Sequence, residues 1–325
     1  MGLKQPDLLL LNDQDLAYAK VRLDERSLAT AIAGLSKLDD SLARAVIWSA
    51  AWDMTRDAEM SARDFITLVL GNIGQETDAW GVTRIPAMTA MAVNHYIAPE
   101  QRAAVRLEWE QGLRRLLDGA APGSDHQLTF ARSLAAAARS DEGLATLEQI
   151  LDGDLVIDGL AVDMDLRWTL IAGLAAAGRA GDRIRLAEAA DNTISGKERA
   201  AAARAAQPDV AAKEAAWTAA MSATTPNETA RSISTQFQVS DQQEVLAPFV
   251  ERYLEAVGTA WETLGSHKAA VALQGLFPMP MASPELLERL DEWLATATAN
   301  PGALRYVREG RAEVVRALAA RALGA

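Results

Sequence analysis

From Asp24 onward, apolar residues return every third or fourth position, and capping or breaking residues interrupt them roughly every 12–20 positions, the rhythm of short amphipathic helices. Over residues 39–59, Leu42, Ala45, Val46, Ser49, Ala50 and Asp53 fall along one line, flanked by Trp48 and Trp52. Ser61, with Asp64 three positions later, predicts a capped helix start at Ala62. Residues 78–97 read as helix with a kink or break near Pro86. Pro99 suits the first turn of a helix reaching Asp118. Residues 121–125 form a loop, and helices follow over 127–139 and 141–151. In the second half, a helix over 164–177 stops at Gly178, which can take the left-handed conformation that ends helices. Further helices are predicted over 183–192, 196–206, 209–222, 226–237, 242–264 (with Pro248 inside), 268–277, 284–298 and 302–323. The start of the chain differs. Leu8, Leu9, Leu10 and Leu11 make an apolar run of strand length that ends at the turn pair Asn12 and Asp13, and Tyr18, Val21 and Leu23 mark a second extended stretch. One or two strands do not make a stable sheet alone. The leucine run therefore predicts a strand needing cover from residues 18–23, from the first helices or from another copy.

No exact internal repeat is present, but helix pairs spaced by roughly 30–45 residues suit a HEAT- or armadillo-like stack. The expected fold is all-α: a curved helical solenoid of about sixteen helices with a short N-terminal strand segment. A globular multi-helix bundle is the other reading. The expected division is 1–23, a strand and linker, and 24–325, the helical domain. Composition agrees with close helix packing, since half of the 325 residues are hydrophobic, only 5% are aromatic and alanine runs recur. The net charge of -12 argues against a nucleic-acid binder, which needs a basic face. No apolar stretch approaches the roughly 18 residues of a membrane span. Cysteine is absent, so disulfides and thiolate chemistry are excluded, and a cytoplasmic location is expected.

Candidate chemistry is sparse. A helical zinc site needs two histidines four positions apart with a glutamate between them. His95, His126 and His267 do not offer that spacing, so neither a metal ligand nor a catalytic residue is assigned. His95 reads as a cation at a helix C-terminus. Serine-nucleophile, P-loop and dinucleotide glycine patterns are also absent. Asp53 and Arg56 lie one helical turn apart, with Asp57 beside them, and either line a substrate channel or form an intrahelical pair. Asp163 and Asp165 read as helix-start residues, with Arg167 as partner or as a second channel candidate. Glu76 and Asp78 read as turn caps. The eight tryptophans read as inter-helix packing, each indole N–H seeking a carbonyl, with an aromatic ligand cleft as the sharper alternative.

Four blocks carry a resemblance: residues 11–24 (with Tyr18, Val21 and Asp24 in a Y-x-x-V-x-x-D pattern), AAWDMTRD at 50–57, APGSD at 121–125 and VDMDLRW at 162–168. Together they resemble the C-terminal helical domain of bacterial zinc aminopeptidases N and, more distantly, that of the endoplasmic-reticulum aminopeptidases, over nearly the whole chain. The resemblance implies a non-catalytic domain that closes over an active site held elsewhere and shapes peptide access. Its partners would be the preceding catalytic and β-domains of the same polypeptide and the peptide substrate. The family's zinc-binding HExxH and G-x-M-E-N motifs do not occur in this sequence, so any zinc belongs to the parent catalytic domain and no cofactor is expected here. Asp53, Arg56 and Arg167 are the substrate-cavity candidates. Two other functions remain: a free-standing scaffold binding a protein partner on its concave face, and an independent hydrolase using a serine or an aspartate pair.

Overall fold

The computed structural model describes residues 5–324, whose regular elements are helices and which form two compact units. Among the described residues, the first contains 5–137, 157–160 and 319–324; the second contains 138–156 and 161–318.

In the first unit, α1 (Glu25–Gly34), α2 (Ser41–Arg56), α3 (Ala62–Asn72), α4 (Ala79–Met91), α5 (Pro99–Gly119) and α6 (Asp125–Ala137) alternate between two layers. Helix α1 packs on α3 and α3 on α5, while α2 packs on α4 and α4 on α6. The core includes Ile47, Phe65, Leu68, Trp109 and Leu113, each almost wholly buried, and Trp52 stacks on Tyr96 with ring centroids 6.1 Å apart. Pro86 does not break α4, which runs on to Met91, and residues Ala92–Tyr96 follow as a π-helical turn. The loop at 121–125 meets residues 157–160 at two glycines. Gly159 has φ +77°, and a Cβ there would stand 2.3 Å from the Gly123 nitrogen. Gln127 holds the junction, accepting from Gly123 N and donating to Asp158 O.

The second unit contains α7 (Asp141–Asp152), α8 (Met164–Ala176), α9 (Arg183–Ala190), α10 (Ile194–Ala206), α11 (Val210–Ala220), α12 (Asn227–Phe237), α13 (Gln243–Leu246), α14 (Phe249–Val257), α15 (Ala260–Leu264), α16 (Ser266–Gly275), α17 (Pro284–Thr296) and α18 (Pro301–Leu323), whose last turn belongs to the first unit. The solenoid-like order is plain in one row, where α8 packs on α10, α10 on α12 and α12 on α16. The C-terminal carbonyls of that row are joined by two buried side chains, Gln242 and Lys213, and the half-buried Gln238. Gln242 donates to Ala176 O and Ala206 O, Lys213 Nζ to Ala205 O and Phe237 O, and Gln238 to Leu276 O. Orphan carbonyls at helix ends otherwise need water or a glycine turn. Lys268 does the same for the loop after α11, donating to Ala223 O and Thr225 O.

Helix starts follow the sequence closely. Asp24, Asp40, Ser61, Asp78, Ser140, Asp163, Thr193, Asp209 and Ser283 all accept first-turn amides, each interaction stabilising its helix by about 1 kcal/mol. Gly178, at φ +73°, follows α8 as expected. Two expectations need correction. The predicted helix over 242–264 is three helices, because Pro248 cannot donate to the preceding turn and the chain opens again at Gly258 and Thr259. The predicted strand at residues 8–11 is not a strand. No backbone partner lies alongside it among the described residues. Instead the segment runs against α1, with Leu9 N donating to Ser27 Oγ and Thr30 Oγ1 donating to Asp7 O. The turn at Asn12 is real, and its side-chain amide imitates a strand neighbour by exchanging two hydrogen bonds with the Ala17 backbone, both 2.9 Å.

Candidate functional site

The line of residues on α2 legible in the sequence faces a cleft. Leu42, Ala45, Val46, Ser49, Ala50 and Asp53 form one wall, and Asp15, Ala19 and Val21 of the N-terminal segment form the other, enclosing about 130 Å³. The segment is held there by charge. Lys20 and Arg22 both reach Asp57 at the end of α2, at 2.6 and 2.5 Å, and Arg22 also pairs with Glu59. The Lys20 hydrogen bond, backed by Arg22, keeps the Asp57 carboxyl below its usual range against its partial desolvation. Asp57 therefore anchors the covering segment. Two carboxylates from different segments, Asp15 and Asp53, line the cleft without a basic residue among its walls, so it favours a cationic group.

A second group lies behind the cleft. Arg44 donates to both Glu76 carboxylate oxygens and to Leu38 O, and Trp48 Nε1 donates to Glu76 Oε2 at 2.8 Å. The amides of Thr77 and Asp78 complete the shell. Desolvation pushes the Glu76 pKa up, but the hydrogen bonds from Arg44, Trp48 and the two amides outweigh it and hold the acid at about 2. The glutamate expected to cap a turn is thus the centre of a buried, satisfied ion pair that fixes α2 against the turn before α4. Sequence reasoning missed the role; the only signal was an arginine and a tryptophan four positions apart on one helix face.

Arg167 lies on α8 in the second unit, half-buried, and its expected partner Asp165 is paired instead with Arg199. Asp163 caps α8 as expected. Trp168 donates to Asp191 and Trp48 to Glu76, so these two indoles take carboxylates where carbonyls were expected. Trp80 is about half exposed.

The histidines remain separate. His126 lies edge-on to Phe130, with ring centroids 5.6 Å apart, and His267 opens α16. His95 occupies the π-helical turn and is not a cation there. Burial, then Arg102, Arg321 and Arg106, push its pKa down to about 4. Among the described residues no three His, Asp or Glu side chains gather where they could hold a metal ion. The guanidinium charge around His95 disfavours a cation such as zinc there.

A family model, the ERAP1-like C-terminal domain, matches residues 8–316, and the chain belongs to that family. Among curated proteins it is 43% identical over 327 aligned positions to the Aminopeptidase N of Streptomyces lividans. The match takes in all of this chain and 38% of that protein.

Proposed function

We propose that this chain is the non-catalytic helical domain of a zinc-dependent aminopeptidase N, enclosing an active site carried by other domains of the same polypeptide and shaping the access of peptides to it. The observation that carries the reading is similarity along the entire chain to a region, 38%, of an Aminopeptidase N. The zinc and the hydrolytic residues then belong to the catalytic part. The preceding catalytic and β-domains are the partners, and the peptide is the substrate.

Within this reading, Asp53, Arg56 and Arg167 are the cavity residues. Asp53 supplies a carboxylate to the α2 cleft, where a peptide cation can be met. Arg167 has a half-buried guanidinium whose neighbouring acid is engaged elsewhere, leaving it suited to a peptide carbonyl or carboxylate. A cytoplasmic location completes the proposal. The absence of cysteine suits a reducing compartment, and no helix among the described residues is long and apolar enough to cross a membrane.

The test is peptide trimming by a polypeptide that joins this chain to its zinc-binding catalytic part. Removing residues 24–325 should alter the dependence of turnover on peptide length more than turnover of a single aminoacyl chromogenic substrate. The chain alone should release no chromophore. Chelator-sensitive turnover by the chain alone would overturn the assignment.

A further inference from the structure

Three arginines of the first unit converge on the π-helical turn after α4. Arg102 Nη2 donates to Ile97 O at 3.0 Å, Arg106 Nη2 to Asn94 Oδ1 at 3.1 Å, and Arg321 Nε to His95 O at 2.8 Å. Arg102 and Arg106 stand one turn apart on α5 and share a face, while Arg321 arrives from the last turn of α18. Two polar atoms at the centre of this cluster, Arg102 Nε and His95 Nδ1, are enclosed and have no hydrogen-bond partner among the described residues. Buried polar atoms without a partner are uncommon and call for an account.

We propose that Arg102 and His95, flanked by Arg106 and Arg321, form a binding site for a small oxyanion of the phosphate or sulfate class. A guanidinium fork presents parallel N–H donors that match two oxygens of such an anion, and His95 adds a donor from its ring once protonated. Guanidinium groups nearby disfavour the charged forms of Arg102 and His95, and an anion placed beside those two offsets that cost. The electrostatics agree with the geometry. Arg102 is pushed down to about 10 by burial, then by Arg321 and Arg106, with Glu100 opposing, and His95 is lowered by the same three guanidinium groups. Arg102, Arg321 and His95 each keep partial exposure as residues.

Binding and protonation are then linked in both directions. An anion at the site favours the His95 imidazolium, and a protonated His95 favours the anion. The test uses the whole chain and inorganic phosphate, with chloride at matched ionic strength as the control. His95 is followed by proton–carbon NMR of the imidazole ring, its signal assigned with His95→Gln. Phosphate should raise the His95 midpoint from about 4 by roughly one pH unit, saturably, and raise the melting temperature. Arg102→Gln should abolish the saturable response. Arg102→Lys, which keeps the charge and loses the fork, guards against a folding defect and should weaken phosphate binding at least tenfold. A His95 response equal to that of chloride, or unchanged in both Arg102 variants, would overturn the site. Saturable binding of acetate but not phosphate would overturn the anion class.

Discussion

Lys213 permits a clean test of burial against hydrogen bonding. Its side chain is fully enclosed, with Nζ 2.7 Å from both Ala205 O and Phe237 O and 5.1 Å from the centre of the Phe237 ring. Burial pushes its pKa from the usual 10.5 down to about 7, partly offset by Asp241. Between those values the folded chain holds fewer protons than the unfolded chain, so stability rises with pH across the window and is lower below it by the full cost of the buried charge. Integrated from pH 7 to 9.5, the gain is about 3 kcal/mol. This is an upper figure, because two carbonyls at helix C-termini favour the ammonium. Lys213→Met keeps the packing of the stem and removes the titration, while leaving two carbonyls without a donor at about 1–3 kcal/mol each. The chain has no cysteine, so no thiol titrates in this window. Urea unfolding at half-unit steps from pH 7 to 9.5 should show wild-type stability climbing and the variant nearly flat. Parallel curves for the two proteins would refute the reasoning, and would mean that the carbonyls hold the lysine charged throughout.

Three further outcomes are expected. Glu76→Gln should cost about 3–5 kcal/mol at neutral pH in chemical denaturation, because it strands Arg44 inside the first unit; since Glu76 is held at about 2 against an ordinary 4.5, its contribution is complete above 4.5 and is lost as pH falls toward 2, so the variant's acid profile should be flatter over that range. Ala58→Gly should raise stability by roughly 0.5–1 kcal/mol, read as a higher urea midpoint, because Ala58 sits at φ +57° just past α2, where only glycine avoids steric cost. Gly275→Ala should lower stability by about 1–3 kcal/mol and shift the thermal midpoint down, because its Cβ would stand 2.7 Å from the Ser234 Cβ and 2.9 Å from the Ser234 backbone where α16 crosses α12.

The parts of the fold that were legible in the sequence are those fixed by one or two neighbouring residues. Ser61, Asp163 and Gly178 bound their helices where local capping chemistry puts them, and Pro99 opens α5. The leucine run misled because strand identity depends on a partner elsewhere; Leu9 N is met instead by Ser27 of α1, and the Asp7 carbonyl just before the run by Thr30. The stripe ending at Asp53 was visible as a line of residues, but its cover by Asp15, Ala19 and Val21 was not, since that depends on Asp57 attracting Lys20 and Arg22 from more than thirty positions away. Lys213 gave no signal at all. A lysine in an alanine-rich helix reads as a solvated face, and only the meeting of two helix ends around it makes it interior.

The row of helix ends joined by Gln242, Lys213 and Gln238 has a consequence for how this chain can change in length. Each residue added inside α10 or α12 would turn the following residues by about 100° and advance them by about 1.5 Å, carrying the terminal carbonyl away from its donor. Because Gln242 holds α8 and α10 together and Lys213 holds α10 and α12, a shift in one helix would undo contacts made by its neighbours on both sides. Insertions and deletions within these helices should therefore be rejected, and so should those in the turn 221–226, whose carbonyls Lys268 holds.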